Sequence, residues 1–114
     1  MADCIFCDII SGKVKGDVVF DGDRVVAFRD INPQAPVHIL VVPKKHIATL
    51  NDLTEEDADL IANIVLTAKN LASQEGIQDD GYRLVWNCNR GAGQTVFHIH
   101  LHVLGGRVFR WPPG

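Results

Sequence analysis

The sequence predicts an α+β fold, in which an antiparallel sheet of about five strands carries one long helix on one face and a short helix at the N-terminus. Three observations predict it. Five short runs, at 18–20, 24–28, 37–42, 82–88 and 96–104, are dominated by strand-forming residues and bounded by turn signals. A single stretch, 54–75, has the length and apolar spacing of a long helix. The chain has 114 residues, 46% hydrophobic and 22% charged, which fits one folded domain over 1–114 and argues against disorder.

Residues 1–12 read as a short apolar helix stopped by Ser11-Gly12. The first two strands flank Asp21-Gly22-Asp23, and an Asp-Gly pair between apolar runs signals a hairpin because both residues tolerate positive φ. Asn32-Pro33-Gln34-Ala35-Pro36 is a loop with two fixed φ angles. The β-branched run from Val37 ends at Pro43. In the long helix Thr54 is the expected cap, Glu55, Glu56, Asp57 and Asp59 suit the positive end of its dipole, and Gly76 stops it. Ile61, Ile64, Val65, Ala68, Leu71 and Ala72 share one face; Ala58 and Leu60 widen it, and Leu66 lies outside. So broad a stripe suggests a second contact, such as another subunit. Asn89-Arg90-Gly91-Ala92-Gly93-Gln94 is a loop between the last two strands, and Trp111-Pro112-Pro113-Gly114 suits neither helix nor central strand.

The formal charge is −3, with no Lys/Arg run beyond Lys44-Lys45, so a nucleic-acid partner held by phosphate neutralisation is not expected. No apolar run approaches the ~20 residues of a membrane helix, and Met1-Ala2-Asp3-Cys4 lacks the regions of a signal peptide. Three cysteines give no paired disulfide framework. Together these suggest a reducing, cytoplasmic setting.

The segment 95–103 is the informative one. If it is a strand, Phe97, Ile99, Leu101 and Val103 point toward the helix and His98, His100 and His102 point away, with neighbouring rings starting ~7 Å apart. Folding alone explains three such histidines poorly, because each buried ring needs a polar partner. An exposed decorated strand and a three-histidine catalytic zinc site are alternatives. The favoured reading is nucleophilic catalysis by neutral imidazole, whose ordinary pKa is ~6.5. His38 sits within an apolar strand, as a residue facing a site or as a hydrogen-bonded core histidine. Backbone N–H groups of Gly93-Gln94-Thr95 are candidate phosphate ligands, although glycine in a turn is a weak signal.

His98-Ile99-His100-Leu101-His102-Val103 resembles the His-x-His-x-His-apolar motif of the histidine triad (HIT) superfamily. Leu104-Gly105-Gly106-Arg107, the ending Trp111-Pro112-Pro113-Gly114, the run from Asp30 to His38 and Val42-Pro43-Lys44-Lys45-His46-Ile47 resemble its Hint branch, and the likeness extends from Cys4 to Gly114. The resemblance implies a HIT-like fold and hydrolysis of the P–N bond of purine nucleoside 5'-phosphoramidates. His100 attacks phosphorus and a nucleotidyl-histidine intermediate forms, from which water releases the nucleoside monophosphate. It implies that the His98 carbonyl fixes the His100 tautomer, and that His102 and His38 bind phosphate oxygens and move protons. Asn87 and Thr95 contact the phosphate or leaving group; Thr95 stands where serine is usual in eukaryotic members. Asp30 accepts the ribose hydroxyls, and Phe6, Ile9, Phe28 and Ile31 form the base pocket or serve as ordinary core. The resemblance also implies a homodimer, with Trp111 of the tail reaching the partner's site. Dinucleoside polyphosphate hydrolysis and a non-catalytic nucleotide-binding or scaffold module are the alternatives. A uridylyltransferase role is disfavoured, because His102 occupies a position where that branch has glutamine.

Cys4-Ile5-Phe6-Cys7 is a C-x-x-C pair, read either as two small residues packing in a helix or as metal ligands. With His46 and His98 it resembles the Cys2His2 zinc set of some bacterial HIT proteins. Such a zinc is structural, because four protein ligands leave no open position. None is needed for the chemistry.

Overall fold

A computed structural model describes residues 3–114 and places seven regular elements in the order α1 (Ile5–Ile10), β1 (Val18–Asp21), β2 (Val25–Arg29), β3 (Val37–Pro43), α2 (Ala58–Gln74), β4 (Tyr82–Trp86) and β5 (Leu101–Gly105). The strands form one antiparallel sheet in the order β1-β2-β3-β5-β4. The Asp-Gly turn closes the first hairpin, with Gly22 N–H donating to the Val25 carbonyl at 2.9 Å. The expected helix over 1–12 is Ile5–Ile10, capped by Cys4 Sγ; its first two residues lie outside the described ones.

Register sets the two faces of the sheet. Val25 and Ala27, Ile39 and Val41, and Leu101 and Val103 point to one side, where Ile64, Ala68 and Leu71 of α2 cover them. Val26, Phe28, Leu40 and Val42 point to the other side and meet Cys4 and Phe6. Strand alternation thus gives the long helix one face and leaves the second face to α1 and the site.

The long helix differs from its expected form at both margins. Thr54 does cap, but through Asp57: the Asp57 Oδ2 accepts from Thr54 N–H at 3.0 Å, and residues Glu55–Asp57 form a 3-10 turn ahead of α2. Its buried stripe is Leu60, Ile64, Thr67, Ala68, Leu71 and Ala72. Val65 is rotated off that stripe, 37% exposed, beside the exposed Leu66. The far end of α2 is tied to β2, where Arg29 makes two N–H···O bonds to Glu75, at 2.8 and 3.1 Å.

The last strand is shorter than the expected 96–104. The ladder to β3 stops at Val41–Leu101, before Pro43, which has no N–H to donate. Residues upstream bend away; Ile99 N–H donates to the Ile47 carbonyl at 2.8 Å instead of joining the ladder. Strict alternation therefore fails there. Phe97 is 41% exposed rather than packed under the helix, and His98 is fully buried off the row of His100 and His102.

Candidate active site and metal-ligating cluster

β5 and β3 lie side by side, with His102 opposite Leu40 and His38 opposite Leu104, so His38 and His102 share one face as diagonal neighbours. Their rings meet, His38 Nε2 lying 2.9 Å from His102 Nδ1. His100 continues the row, its ring centroid 4.9 Å from that of His102. Phe6 of α1 packs edge-on against His100 at 5.0 Å and against Phe28 at 5.2 Å, closing the apolar side.

Two backbone groups determine where the hydrogens sit. The His98 carbonyl can only accept, and it lies 2.8 Å from His100 Nδ1, so that nitrogen carries the hydrogen and Nε2 keeps its lone pair. The Gln34 N–H can only donate, and it lies 3.0 Å from His38 Nδ1. His38 must then carry its hydrogen on Nε2 and donate it to His102 Nδ1, which leaves the His102 hydrogen on Nε2. Neither His100 Nε2 nor His102 Nε2 has a protein partner among the described residues, and no buried side-chain nitrogen is left unpartnered, so both open into the cavity. One end of the row thus offers a lone pair, and the next ring offers an N–H.

Burial holds these rings neutral at pH 7. Desolvation is the main cause for all of them. It pushes His102 down to about 4, with the neighbouring His100 and His38 adding to the effect and Asp30 opposing it. His38 and His100 also lie below the ordinary imidazole value. The approach of Asp30 Oδ2 to His38 Nε2, 3.4 Å, is accordingly a contact with a neutral ring.

A cavity of about 330 Å³ opens beside His100 and His102. Phe6, Ile9, Phe28 and Ile31 give it apolar walls, and Asp30 and Thr95 give it polar ones. His102 also lines a second cavity of about 350 Å³, with His38, Asn87 and three arginines, Arg83, Arg107 and Arg110.

A cluster of four candidate metal ligands lies behind this row. His98 Nδ1 is 3.4 Å from Cys4 Sγ, 3.5 Å from Cys7 Sγ and 3.1 Å from His46 Nδ1, and Cys7 Sγ is 3.3 Å from His46 Nδ1. All four ligand atoms fall within 4.8 Å of one another and could bind a metal ion. The set fits zinc in particular: bond lengths of ~2.3 Å to sulfur and ~2.0–2.1 Å to nitrogen put tetrahedral S···N neighbours about 3.5 Å apart and N···N neighbours about 3.3 Å apart. His98 donates its Nε2–H to the Pro43 carbonyl at 2.7 Å, which turns the Nδ1 lone pair toward the cluster. Desolvation, then the hydrogen bond and charge of Cys4, raise the Cys7 thiol to about 11, so a thiolate at Cys7 calls for a cation beside it.

The structure brings His38, His100, His102 and Asp30 together, and Cys4, Cys7, His46 and His98 together. Only the carbonyl of His98 reaches the first group; its ring belongs to the second. Asn87 and Thr95 fall in different cavities. The loop amides expected to hold phosphate are turned inward: Gly93 N–H donates to the Arg90 carbonyl and Gln94 N–H to that of Asn89. Gln94 itself is buried, its amide bridging Asn89 N–H at 2.7 Å and the carbonyls of Ala48 and Val96 at 2.8 and 3.0 Å. It braces the loop because a six-residue connection with few ladder bonds needs such partners. Trp111 is 83% exposed and lines neither cavity within one chain. The sequence assigned no role to any of the three arginines, although Arg107 falls in a quoted motif. Arg83 was within reach, since it shares strand parity with Val85 and Asn87.

The HIT domain family matches residues 11–109, and the chain belongs to that family. It is 50% identical over 103 residues to the purine nucleoside phosphoramidase of Escherichia coli K12, covering 90% of this chain and 87% of that protein. An uncharacterised HIT-like protein of Synechococcus elongatus is 50% identical over 112 residues, 98% of this chain and 97% of its own. Among solved structures, a HIT family hydrolase from Legionella pneumophila superposes with a TM-score of 0.97 at 56% identity, covering 98% of this chain and all of that one.

Proposed function

We propose that this protein hydrolyses the P–N bond of purine nucleoside 5'-phosphoramidates through a nucleotidyl-histidine intermediate. The observation that carries the reading is the hydrogen bond from His100 Nδ1–H to the His98 carbonyl, which leaves the Nε2 lone pair facing the cavity. The similarity to the E. coli phosphoramidase supports the same substrate class.

The nucleoside occupies the cavity walled by Phe6, Ile9, Phe28 and Ile31, with Asp30 accepting from the ribose diol. His100 Nε2 attacks phosphorus as the P–N bond breaks, and His102 Nε2–H gives its proton to the departing amine as His38 Nε2–H moves to His102 Nδ1; the positive charge formed on His100 offsets the negative charge left on the two rings until water's proton restores them. Water then attacks the phosphorus. His102 Nε2 takes the water's proton, the bond from His100 breaks, and the nucleoside monophosphate leaves. His38 keeps His102 Nδ1 supplied with a hydrogen bond, so the ring presents the correct nitrogen in each half. Thr95 supplies a hydroxyl to the phosphate. Cys4, Cys7, His46 and His98 hold a structural zinc, which when bound supplies a rigid anchor and no chemistry.

The chain works as a homodimer, with the half-exposed Val65 and Leu66 of α2 and the edge strand β4 as contact surface. No described helix is long and apolar enough to cross a membrane. The test is release of AMP from adenosine 5'-phosphoramidate beside a diadenosine polyphosphate. Faster turnover of the phosphoramidate supports the reading, and preference for the polyphosphate contradicts it.

A further inference from the structure

The four candidate metal ligands are more accessible than a buried anchor requires. His46 is exposed and Cys7 half-buried, while Cys4 and His98 are buried. A cavity of about 510 Å³, beside the nucleoside one, brings solvent to Cys4 and His46. The two cysteines also suit a bond to each other. Cys4 is the N-cap of α1, Cys7 N–H donates to Cys4 Sγ at 3.4 Å, and the two sulfurs fall within 4.8 Å. Residues three apart on one helical turn stand about 5 Å apart at Cα by helix geometry. That separation is inside the ~4.4–6.8 Å that a disulfide spans. Rotation of the two side chains therefore closes the bond without unwinding the turn.

The residue between the cysteines carries such a change to the site. Phe6 packs edge-on against His98 at 5.9 Å, against His100 at 5.0 Å and against Phe28 at 5.2 Å. It also walls the nucleoside cavity. His98 joins the cluster to the row a second time, because its ring is a candidate ligand and its carbonyl orients His100. A bond between the two sulfurs thus acts on both the base pocket and the hydrogen bond of the nucleophile.

We propose that Cys4 and Cys7 form a redox-sensitive modification site: a hydroperoxide oxidises them to a disulfide, which releases the metal and slows the active site. The assignment rests on the zinc reading above, and its effect on turnover rests on the hydrolase reading. Cys4 lines the open cavity and meets the peroxide first. Its sulfur, deprotonated as a metal ligand must be, attacks one peroxide oxygen; the O–O bond breaks, one hydroxide leaves, and a sulfenic acid forms. Cys7 Sγ then attacks the Cys4 sulfur, the S–S bond forms, and the sulfenic oxygen leaves as a second hydroxide. The two thiolates lose two electrons and hydrogen peroxide gains them, and the two hydroxides balance the charge of the departing dication. His46 and His98 remain as two neutral ligands, too few for a structural zinc, which takes four.

The test treats the zinc-loaded protein with hydrogen peroxide beside a chromophoric zinc chelator, then blocks free thiols and maps the peptides by mass. Zinc release should track formation of the Cys4–Cys7 disulfide mole for mole. Turnover of adenosine 5'-phosphoramidate should fall about tenfold or more, and dithiothreitol with added zinc should restore it. Cys7→Asp keeps four ligands but gives Cys4 no sulfur to close on, so it should release zinc at least about tenfold more slowly. Melting curves check its folding, and Cys7→His replaces it if it does not fold. Cys88→Ser, outside the cluster, should behave as wild type. Zinc lost with Cys4 and Cys7 unlinked, or lost equally fast from Cys7→Asp, overturns the proposal. So do thiols left intact at peroxide levels that oxidise free cysteine. A disulfide that forms while turnover holds overturns the link to the active site. If the protein takes up no zinc, the zinc reading fails, and mapping alone decides: a Cys4–Cys7 bond supports the oxidation site, and its absence overturns it. If the untreated protein turns over no phosphoramidate, the hydrolase reading fails, and mapping with zinc release decides the oxidation site in the same way.

Discussion

Whether His100 or His102 attacks depends on which nitrogen of each ring carries hydrogen, and the His98 carbonyl and the Gln34 amide decide that from opposite ends of the row. His100→Asn, which removes the proposed nucleophile, should lower kcat by at least about a thousandfold while the fold persists. Removing the proposed proton donor should cost differently. His102→Ala is expected to lose about 10²–10⁴-fold on an amine leaving group and far less on p-nitrophenolate, which departs without a proton. The pH profile separates this row from free imidazole. His102 titrates near 4, with His100, His38, Asp30 and the three arginines as the charged or titratable groups facing it. Because its folded value is depressed, the ring stays neutral as pH falls through the usual imidazole range. Protonation at lower pH removes the Nδ1 acceptor that His38 needs. Rates measured from pH 4 to 8 should therefore hold level through ~6.5 and fall below roughly 5.

Elements position these groups through their ends. Asp57 joins the turn before α2 to Lys45 at 2.8 Å and to Thr54, and these hydrogen bonds, Lys45 first, hold its carboxyl below the ordinary value. A depressed folded value means the stability it brings is present above the unfolded carboxylate pKa of ~3.9 and is lost as pH falls through the folded one. Asp57→Asn should therefore lower the melting temperature at pH 7, and the gap from wild type should close in strong acid. The cluster of Cys4, Cys7, His46 and His98, which could bind a metal ion, ties α1 to the end of β3 and to the bend before β5. Chelation, or Cys4→Ser, should lower the melting temperature and also slow turnover, because the His98 carbonyl that orients His100 loses its anchor. Elements were legible in the sequence where local chemistry decides them. The Thr54 cap is such a place, and β3 kept its period with only Pro43 added. The hairpin at Asp21-Gly22 is where the sequence put it, although neither residue takes the positive φ expected of that turn. The histidine segment was legible only in part. Its motif named residues that the structure brings together, His100 and His102 beside His38, but alternation placed His98 in the row, and the bend that removes it comes from long-range bonds to Ile47 and Pro43. The burial of Gln94 was not legible for the same reason, since its partner Ala48 is remote in sequence. The arginine cavity needs β4, β5 and the tail to meet, which no local pattern shows.

At the scale of the whole molecule, one sheet separates a packing face from a working face. α2 fills the first, and α1, the histidine row and the tail build the second. The exposed Val65 and Leu66, with β4 at the sheet edge, predict self-association; light scattering should return twice the 12.6 kDa of one chain, and Leu66→Asp should lower it. The central claim is that the middle histidine of the motif forms a bond to phosphorus. The most direct measurement is a rapid denaturing quench of the enzyme turning over adenosine 5'-phosphoramidate, followed by peptide mass analysis. The account predicts an adenylyl group on His100, formed and lost at rates consistent with turnover. Turnover with no covalent adduct, or an adduct on His102, would contradict it.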